Sequence, residues 1–285
     1  HLADREILQL ENEATLPRTM PPSWLFHSKQ WVEQKHCEEP ELVDLRLSAL
    51  LIIAQSILGV ERRQGWLATG HLVKQAMAAE YHRELFKPMN ISTFHAKMHR
   101  RIWTTIVELD LQAALEWGVP STAQESDYVF PLIMNIDDAD IDISATQRPR
   151  EVSFDTFTDC SLPALLPQSL PLRLRACTLV HSAFLANNAE PLLRLQRELG
   201  RHLSNSQHWD NYTAFDSPTR NRMIYLESFS KANIGHSILS INTRIAERAM
   251  SESLYIESAR SRLETATMIL SIQKSLQKSS TLRGN

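Results

Sequence analysis

The side chains in this sequence most able to do chemistry are carboxylates, imidazoles and thiols, and their spacing decides what each could support. The densest acidic run is Asp137-Asp138-Ala139-Asp140-Ile141-Asp142. Its alternation from Asp138 matches the start of a calcium loop, which also needs Gly at the sixth position and Glu at the twelfth. Ile143 and Pro149 stand there instead. Asp137 and Asp138 would also suit the magnesium motif of an all-helical terpene cyclase. Ile141 occupies the place of that motif's further acid, however, and the surrounding residues read as a loop rather than a helix. His95 and His99 lie four apart on one helical face, a spacing that fits two zinc ligands. Ala96 follows His95 where a metalloprotease carries its glutamate, and no third ligand is evident. The pair reads as surface or capping histidines.

Cys37, beside His36, sits in a polar stretch, and a lone neighbouring pair of this kind specifies no nucleophile. Neither a Gly-x-Ser-x-Gly elbow nor a phosphate-cradling glycine loop is present. Asn90-Ile91-Ser92 and Asn211-Tyr212-Thr213 match the glycosylation sequon, a pattern short enough to arise by chance. No catalytic, cofactor-binding or metal-ligating residue follows from the sequence, and the expectation is a protein that is not an enzyme. Asp110 is the remaining oddity, an ionisable group among apolar neighbours. A buried carboxylate needs a partner, and a structural ion pair or cap to a neighbouring helix is the expected one.

The elements that would position these groups are helices. Only 7 glycines occur in 285 residues, too few for the turns of an all-β fold or for dinucleotide-binding loops. The expected fold class is all-α, an irregular set of packed helical hairpins with no significant sheet. Hydrophobic content of 43% and charged content of 22% are those of an ordinary globular chain. The formal net charge is −3 and the 30 basic residues are dispersed, which argues against a direct grip on nucleic acid. No apolar run reaches the length of a membrane span. Three scattered cysteines, Cys37, Cys160 and Cys177, fit a reducing compartment better than a disulfide framework. The chain opens on His1 rather than Met, as an excised segment would, and no signal peptide is evident.

Residues 1–40 are expected to form an N-terminal arm, broken by Pro17, Pro21 and Pro22 and packed through Trp24, Phe26 and Trp31. Residues 41–285 are expected to form the helical domain, with a loop-rich insertion over about 120–163. From Glu41, three-and-four spacing of Leu42, Leu45, Ala49 and Ile52 predicts a helix ending at Gly59. A second covers Trp66 to Arg83 with Leu67, Leu72, Val73, Ala76 and Met77 inward, and Gly70 there implies close approach of a neighbouring helix. The strongest helix runs from Ser92 to Trp117, with Phe94, Met98, Ile102, Ile106, Leu109, Ala113 and Trp117 on one row and Trp103, Val107, Leu111 and Ala114 widening it. The stretch from Ser144 to Asp159 reads as a mobile loop. Further helices are predicted over Leu172–Ala186, Pro191–Leu203, Thr219–Ala249 and Ser253–Lys278. Tyr225, Phe229, Ala232, His236, Leu239 and Thr243 would mark one face of the third. Ile256, Ala259, Leu263, Ala266, Ile269 and Ile272 would mark one face of the fourth.

One block has more character than a generic bundle. Arg100-Arg101-Ile102-Trp103 is followed by Leu109-Asp110, by Gly118-Val119-Pro120, and by Pro131-Leu132-Ile133-Met134-Asn135-Ile136-Asp137-Asp138-Ala139-Asp140. This order resembles the middle homology region of fungal zinc binuclear cluster transcription factors, where a basic-basic-apolar-Trp start, a Leu-Asp pair, a Gly-Arg-Pro turn and an Asn-x-Asp-Asp-x-Asp loop succeed one another. Upstream, Ala54 to Gly59, Trp66, Gly70, Ala76 and His82-Arg83 look like that family's helical hairpin. Downstream, Ser258-Ala259 and Ala266 match its Ser- and Ala-rich helix more loosely. Val119 replaces the family's Arg, and Thr104 stands where a second Trp is often found.

The likeness covers residues 41–142 well. It implies a regulatory, effector-sensing domain that controls transcription without itself reading DNA, with a small-molecule effector and the transcriptional machinery as partners and a nuclear home. Zinc would belong only to an N-terminal DNA-binding head, since this chain has no Cys-x-x-Cys. Effector binding is expected in an apolar cavity or groove between helices, for which Phe94 to Trp117 would supply lining. The alternatives are a helical dimerisation or scaffold module, using Thr219 to Lys278 as a homodimer interface, and a metal-dependent helical enzyme built on the aspartate cluster.

Overall fold

The computed structural model describes residues 22–34, 40–59, 62–83, 93–125, 133–138, 152–182, 188–205, 209, 216–249 and 251–278. Cys37 with His36, both glycosylation sequons' asparagines, Asp140, Asp142 and residues 144–151 lie outside them. Among the described residues there are eight helices and no strand, the all-α class expected. They are α1 Pro22–Gln34, α2 Leu42–Leu58, α3 Arg62–Ala78, α4 Thr93–Trp117, α5 Ser161–His181, α6 Glu190–Ser204, α7 Ser217–Glu247 and α8 Glu252–Lys278.

Local chemistry sets the helix ends. The Glu41 N–H donates to the Asp44 carboxylate at 3.0 Å, and Gly59 closes α2 at φ 66°, the left-handed cap its position predicts. Leu45, Ala49 and Ile52 are buried on the predicted row. The helix of the N-terminal arm was not foreseen. Pro22 does not interrupt it but begins it, where the missing N–H is harmless, and α1 packs on α2. α3 ends at Ala78 rather than Arg83, because Glu80 takes φ 61° while the N–H groups of Tyr81 and Glu80 reach back to Ala76 and Met77. A glutamate in a left-handed cap leaves no sequence signal.

Two clusters make the main core. The first joins α2, α3, α4 and α5 through Ala49, Val73, Trp103, Leu111 and Leu174. The second joins α5, α6 and α7 through Val180, Leu195, Leu199, Ile234 and Ile241. α5 belongs to both, and it corrects the sequence reading: the helix starts at Ser161, eleven residues before Leu172, and carries Pro167 and Pro171 inside it. Two prolines four apart remove two backbone donors on the same side of the helix, which a sequence reading takes as a stop.

Several inward faces differ from those the sequence pattern predicts. Leu67 is 60% exposed, and α3 buries Thr69 and Leu72 with Val73 and Ala76 instead. Gly70 does mark a close approach, but to a turn: a Cβ there would sit 2.9 Å from Thr122 Oγ1. On α4 the four-residue row drifts by about 40° per step. Trp117 therefore emerges at the surface, while Ile102 and Ile106 of that row stay buried beside the buried line of Trp103, Val107, Leu111 and Ala114. On α7 the buried residues are Met223, Leu226, Ile234, Ile238, Ile241 and Ile245 rather than the row through Tyr225 and His236. On α8 Ile269 is buried as predicted, but Ile256 and Leu263 are 57% and 70% exposed. α8 meets α7 along its length, and Gly235 permits it, since a Cβ there would lie 2.8 Å from Met268 Cε.

Within the expected loop-rich insertion, residues 133–138 and 152–160 are irregular but packed. Met134, Ile136 and Cys160 form a small cluster, and Leu165, Trp209 and Met223 form another with Phe154 and Phe157 against it. The described part, 152–159, of the stretch expected to be a mobile loop is joined to 135–138 by hydrogen bonds.

Candidate functional site

The sequence block with the strongest character builds a structural knot. Asp110 is fully buried, and its Oδ2 accepts from the Ser121 hydroxyl at 2.7 Å and from the N–H groups of Thr122 at 2.7 Å and Ala123 at 3.0 Å. It is a structural cap, as expected, though of the turn after its own helix rather than of a neighbouring one. Asn135 is likewise buried. Its amide donates to the Ser153 and Thr156 carbonyls at 2.9 and 2.8 Å, and its oxygen accepts from the Thr158 and Ser161 hydroxyls at 2.6 and 3.1 Å. Arg101 pairs with Asp138 at 2.9 Å and also donates to the Cys160 sulfur. Asp137 accepts from the Asp159 N–H at 3.2 Å, and Arg222 reaches Asp159 at 2.9 Å. The described aspartates are thus engaged by arginines and backbone donors, which is an architectural use of their charge.

The other reactive groups are dispersed. His99 stacks on Tyr81 with ring centroids 4.0 Å apart, and burial followed by the charge of Arg100 lowers its pKa. His95 lies edge-on to Phe94. Among the described residues no group of three or more His, Cys, Asp and Glu side chains could hold a metal ion. Burial pushes the Cys177 thiol up to about 11 and raises the Cys160 thiol as well. Both thiols are therefore protonated at neutral pH and poor nucleophiles.

A different arrangement lies on the far side of α4. Glu108 and Arg173, both buried, form a two-pronged ion pair between α4 and α5, with Nη1–Oε1 at 2.8 Å and Nη2–Oε2 at 2.6 Å. The Arg173 Nε–H donates to Ser169 Oγ at 3.1 Å. Gln112 and Asn233 turn their amide N–H groups to Glu108 Oε1 at 2.9 and 3.1 Å, which brings α7 into the same cluster. Gln112, Arg173 and Asn233 form the floor of a groove of about 820 Å³ between the C-terminal parts of α4 and α5 and the middle of α7. Leu115, Val180, Phe229, Ala232 and Leu239 supply its apolar surface.

At the rim, His181 Nδ1 lies 2.8 Å from the Cys177 carbonyl. His236 stays exposed to the groove, yet surrounding protein lowers its pKa by desolvation. Arg244 approaches Glu247 at 3.4 Å, and its buried Nε–H finds no acceptor. Of the helix expected to line an effector cavity, Phe94 to Trp117, only Gln112, Leu115 and Glu116 line this groove. The face of α7 marked in the sequence, from Phe229 through Thr243, is largely groove wall. Sequence reasoning passed over Glu108 and Arg173. Their signal was a charge beside Val107 on the buried stretch of α4 and another between Leu172 and Leu174.

The described residues thus combine a helical fold with a groove of apolar walls closed below by a three-helix polar cluster. No protein-family model matches the chain, and no solved structure does. Curated relatives do. The chain is 24% identical over 251 residues to Transcription factor lepE of Aspergillus flavus, covering 87% of this chain and 29% of that protein. It is 26% identical over 262 residues to the Aspyridones cluster regulator apdR of Emericella nidulans, covering 90% and 34%. To the Zn(2)-C6 fungal-type transcription factor mpsB of Macrophomina phaseolina it is 37% identical over 90 residues, covering 31% and 12%. These homologues are fungal transcription factors, in agreement with the resemblance read from the sequence. The chain spans about a third or less of their length.

Proposed function

We propose that this chain is the regulatory, effector-sensing domain of a fungal transcription factor, controlling transcription in a nuclear parent protein without itself reading DNA and without catalysing a reaction. The observation that carries the reading is the groove whose floor is Gln112, Arg173 and Asn233, one residue from each of three helices, joined through Glu108. A small molecule seated there touches all three helices, and it biases their arrangement to the extent that it binds one arrangement better than another. That change would reach the transcriptional machinery through the rest of the parent. The relatives' names support the regulatory part of the reading. Zinc belongs to a separate DNA-binding head. The three cysteines of this chain are too few for six thiolates, and the thiols of Cys160 and Cys177 are buried in separate clusters. Among the described residues no helix is long and apolar enough to cross a membrane.

The test is a transcriptional reporter driven by the chain fused to a heterologous DNA-binding head. Ala232→Trp, which fills the groove from α7, is expected to lock reporter output at one level and abolish its response to cell extracts fractionated for small molecules. A response identical to that of the parent fusion would remove the groove from the regulatory reading.

One observation favours a second role, homodimerisation. Ile256, Leu263 and Leu270 repeat every seven residues on the outer face of α8 and are more than half exposed. Glu252 and Glu257 lie toward one end of this helix and Lys274 toward the other, so an antiparallel second copy would set acid against base. Light scattering across a concentration series tests it, and Leu263→Lys should return a dimer to monomer.

A further inference from the structure

The groove's floor has a polarity that follows from one charge. Glu108 faces the two-pronged guanidinium of Arg173, and a carboxylate only accepts hydrogen bonds. Gln112 and Asn233, which both donate to its Oε1, must therefore present their NH₂ groups to it and turn their carbonyl oxygens away. Both residues line the groove, and no protein donor meets either oxygen among the described contacts. The rim repeats the pattern. His181 Nδ1 sits 2.8 Å from a backbone carbonyl, so that nitrogen carries the proton and the neutral ring keeps its lone pair on Nε2.

The charge of the lining points the same way. Arg173 is neutralised by Glu108, and Arg244 faces Glu247, while Glu116 contributes a further carboxylate at the edge. The groove thus combines apolar walls with an acceptor-bearing floor, its cations each set against a carboxylate, and one unpartnered donor, the Arg244 Nε–H, at the rim.

Building on the reading of this groove as the effector site, we infer that its ligand is an apolar molecule carrying a neutral hydrogen-bond donor head, a hydroxyl or an amide N–H, and that carboxylates and other anions are disfavoured. A donor head meets the oxygens of Gln112 and Asn233. An anionic head would leave its own charge and those two acceptors without partners in a partly desolvated site.

The experiment uses three probes on one adamantane body: the 1-carboxamide, the 1-(methyl ketone) and the 1-carboxylate, titrated calorimetrically into the purified chain. The carboxamide is expected to bind about tenfold more tightly than the carboxylate, the worth of one or two good hydrogen bonds, with the ketone between them. Gln112→Met keeps the volume and removes one acceptor, and it should narrow the gap between carboxamide and ketone. His181→Phe asks the same of the rim without touching Glu108, and serves if the first variant fails to fold. Ala232→Trp should silence all three probes. A carboxylate that binds as well as the carboxamide, or a carboxamide preference unmoved by both acceptor variants, would overturn the donor inference while leaving the groove as a binding site. Silence of all three probes in the unmodified chain would overturn the effector-site reading together with it.

Discussion

The two sides of α4 hold buried polar groups under different conditions. On the side of the knot, Asp110 Oδ2 is taken up by the turn at 121–123 and Asn135 by the segment 152–161, with four of their seven partners backbone groups, while Asp110 Oδ1 is buried without a partner. Backbone partners are fixed by the chain path, so a knot of this kind has one arrangement. On the groove side, Glu108, Arg173, Gln112 and Asn233 are side chains from three separate helices, and two carbonyl oxygens are left facing open volume. Side-chain partners on separate helices can repack when those helices shift, and the leftover acceptors give an incoming molecule something to bind. The comparison separates residues that specify the fold from residues placed to respond.

The largest expected effect comes from breaking the groove floor. Arg173→Met strands the Glu108 carboxylate in a buried site and should destabilise by about 3–5 kcal/mol in urea unfolding. The double change Glu108→Leu with Arg173→Met should recover most of that loss, because a well-packed apolar pair avoids desolvating two charges. If the double variant folds stably yet no longer responds in the reporter, the cluster serves response rather than stability. Trp103→Ala, on the buried line of α4 away from the groove, should cost a similar amount, about 3–5 kcal/mol, through the cavity it leaves. It should do so without altering which probes the groove prefers, which calorimetry on the folded fraction checks.

Asn135→Ala comes next. It leaves the Ser153 and Thr156 carbonyls and two hydroxyls without their partner, and we expect a loss of about 2–3 kcal/mol in urea unfolding. Hydrogen exchange should report fraying at 152–160 before α7 loosens. An equal loosening of the groove helices would mean that the knot and the groove are one unit, and the contrast between them would fail.

Much of the fold was legible because the signals are local. The Gly59 cap, the three-and-four spacing of α2, and the extents of α6, α7 and α8 depend on residues within a few turns of one another. The inward faces of α7 and α8 were not legible. α7 packs on α5, α6 and α8 and also lines the groove, and a single period cannot rank so many faces. The groove floor was invisible for another reason. Glu108 and Arg173 are 65 residues apart, and Asn233 is 125 from Glu108. Asp110, two positions further on, is legible only as an ionisable group among apolar neighbours, and the sequence does not show that its partners are residues 121–123.

The smallest expected effect is on pH dependence, and it can be divided between the two regions. Three histidines have pKa values lowered from 6.5, chiefly by burial: His99 beside the first core, His202 near Arg173, and His236 on the groove wall. In the unfolded chain each takes up a proton near 6.5, while in the folded chain each resists until a lower pH. The unfolded state therefore binds more protons in that window, and stability falls as the solution is acidified from about 6.5 through the lowered folded values, with little change above it. Glu116, Arg244 and Glu247 also line the groove that His236 faces, and His181 faces it from α5, yet burial is what lowers the imidazole pKa. Urea titrations between about pH 7.5 and 5 should show the decline, and His99→Asn and His236→Asn should each reduce its slope by up to about one proton. The two variants should part company when a probe is present. A molecule in the groove buries His236 further, so adamantane-1-carboxamide should bind more weakly at about pH 5 than at 7.5 in the His99→Asn protein, and this dependence should shrink in His236→Asn. Equal dependence in both would place the proton uptake elsewhere and remove His236 from the groove's response.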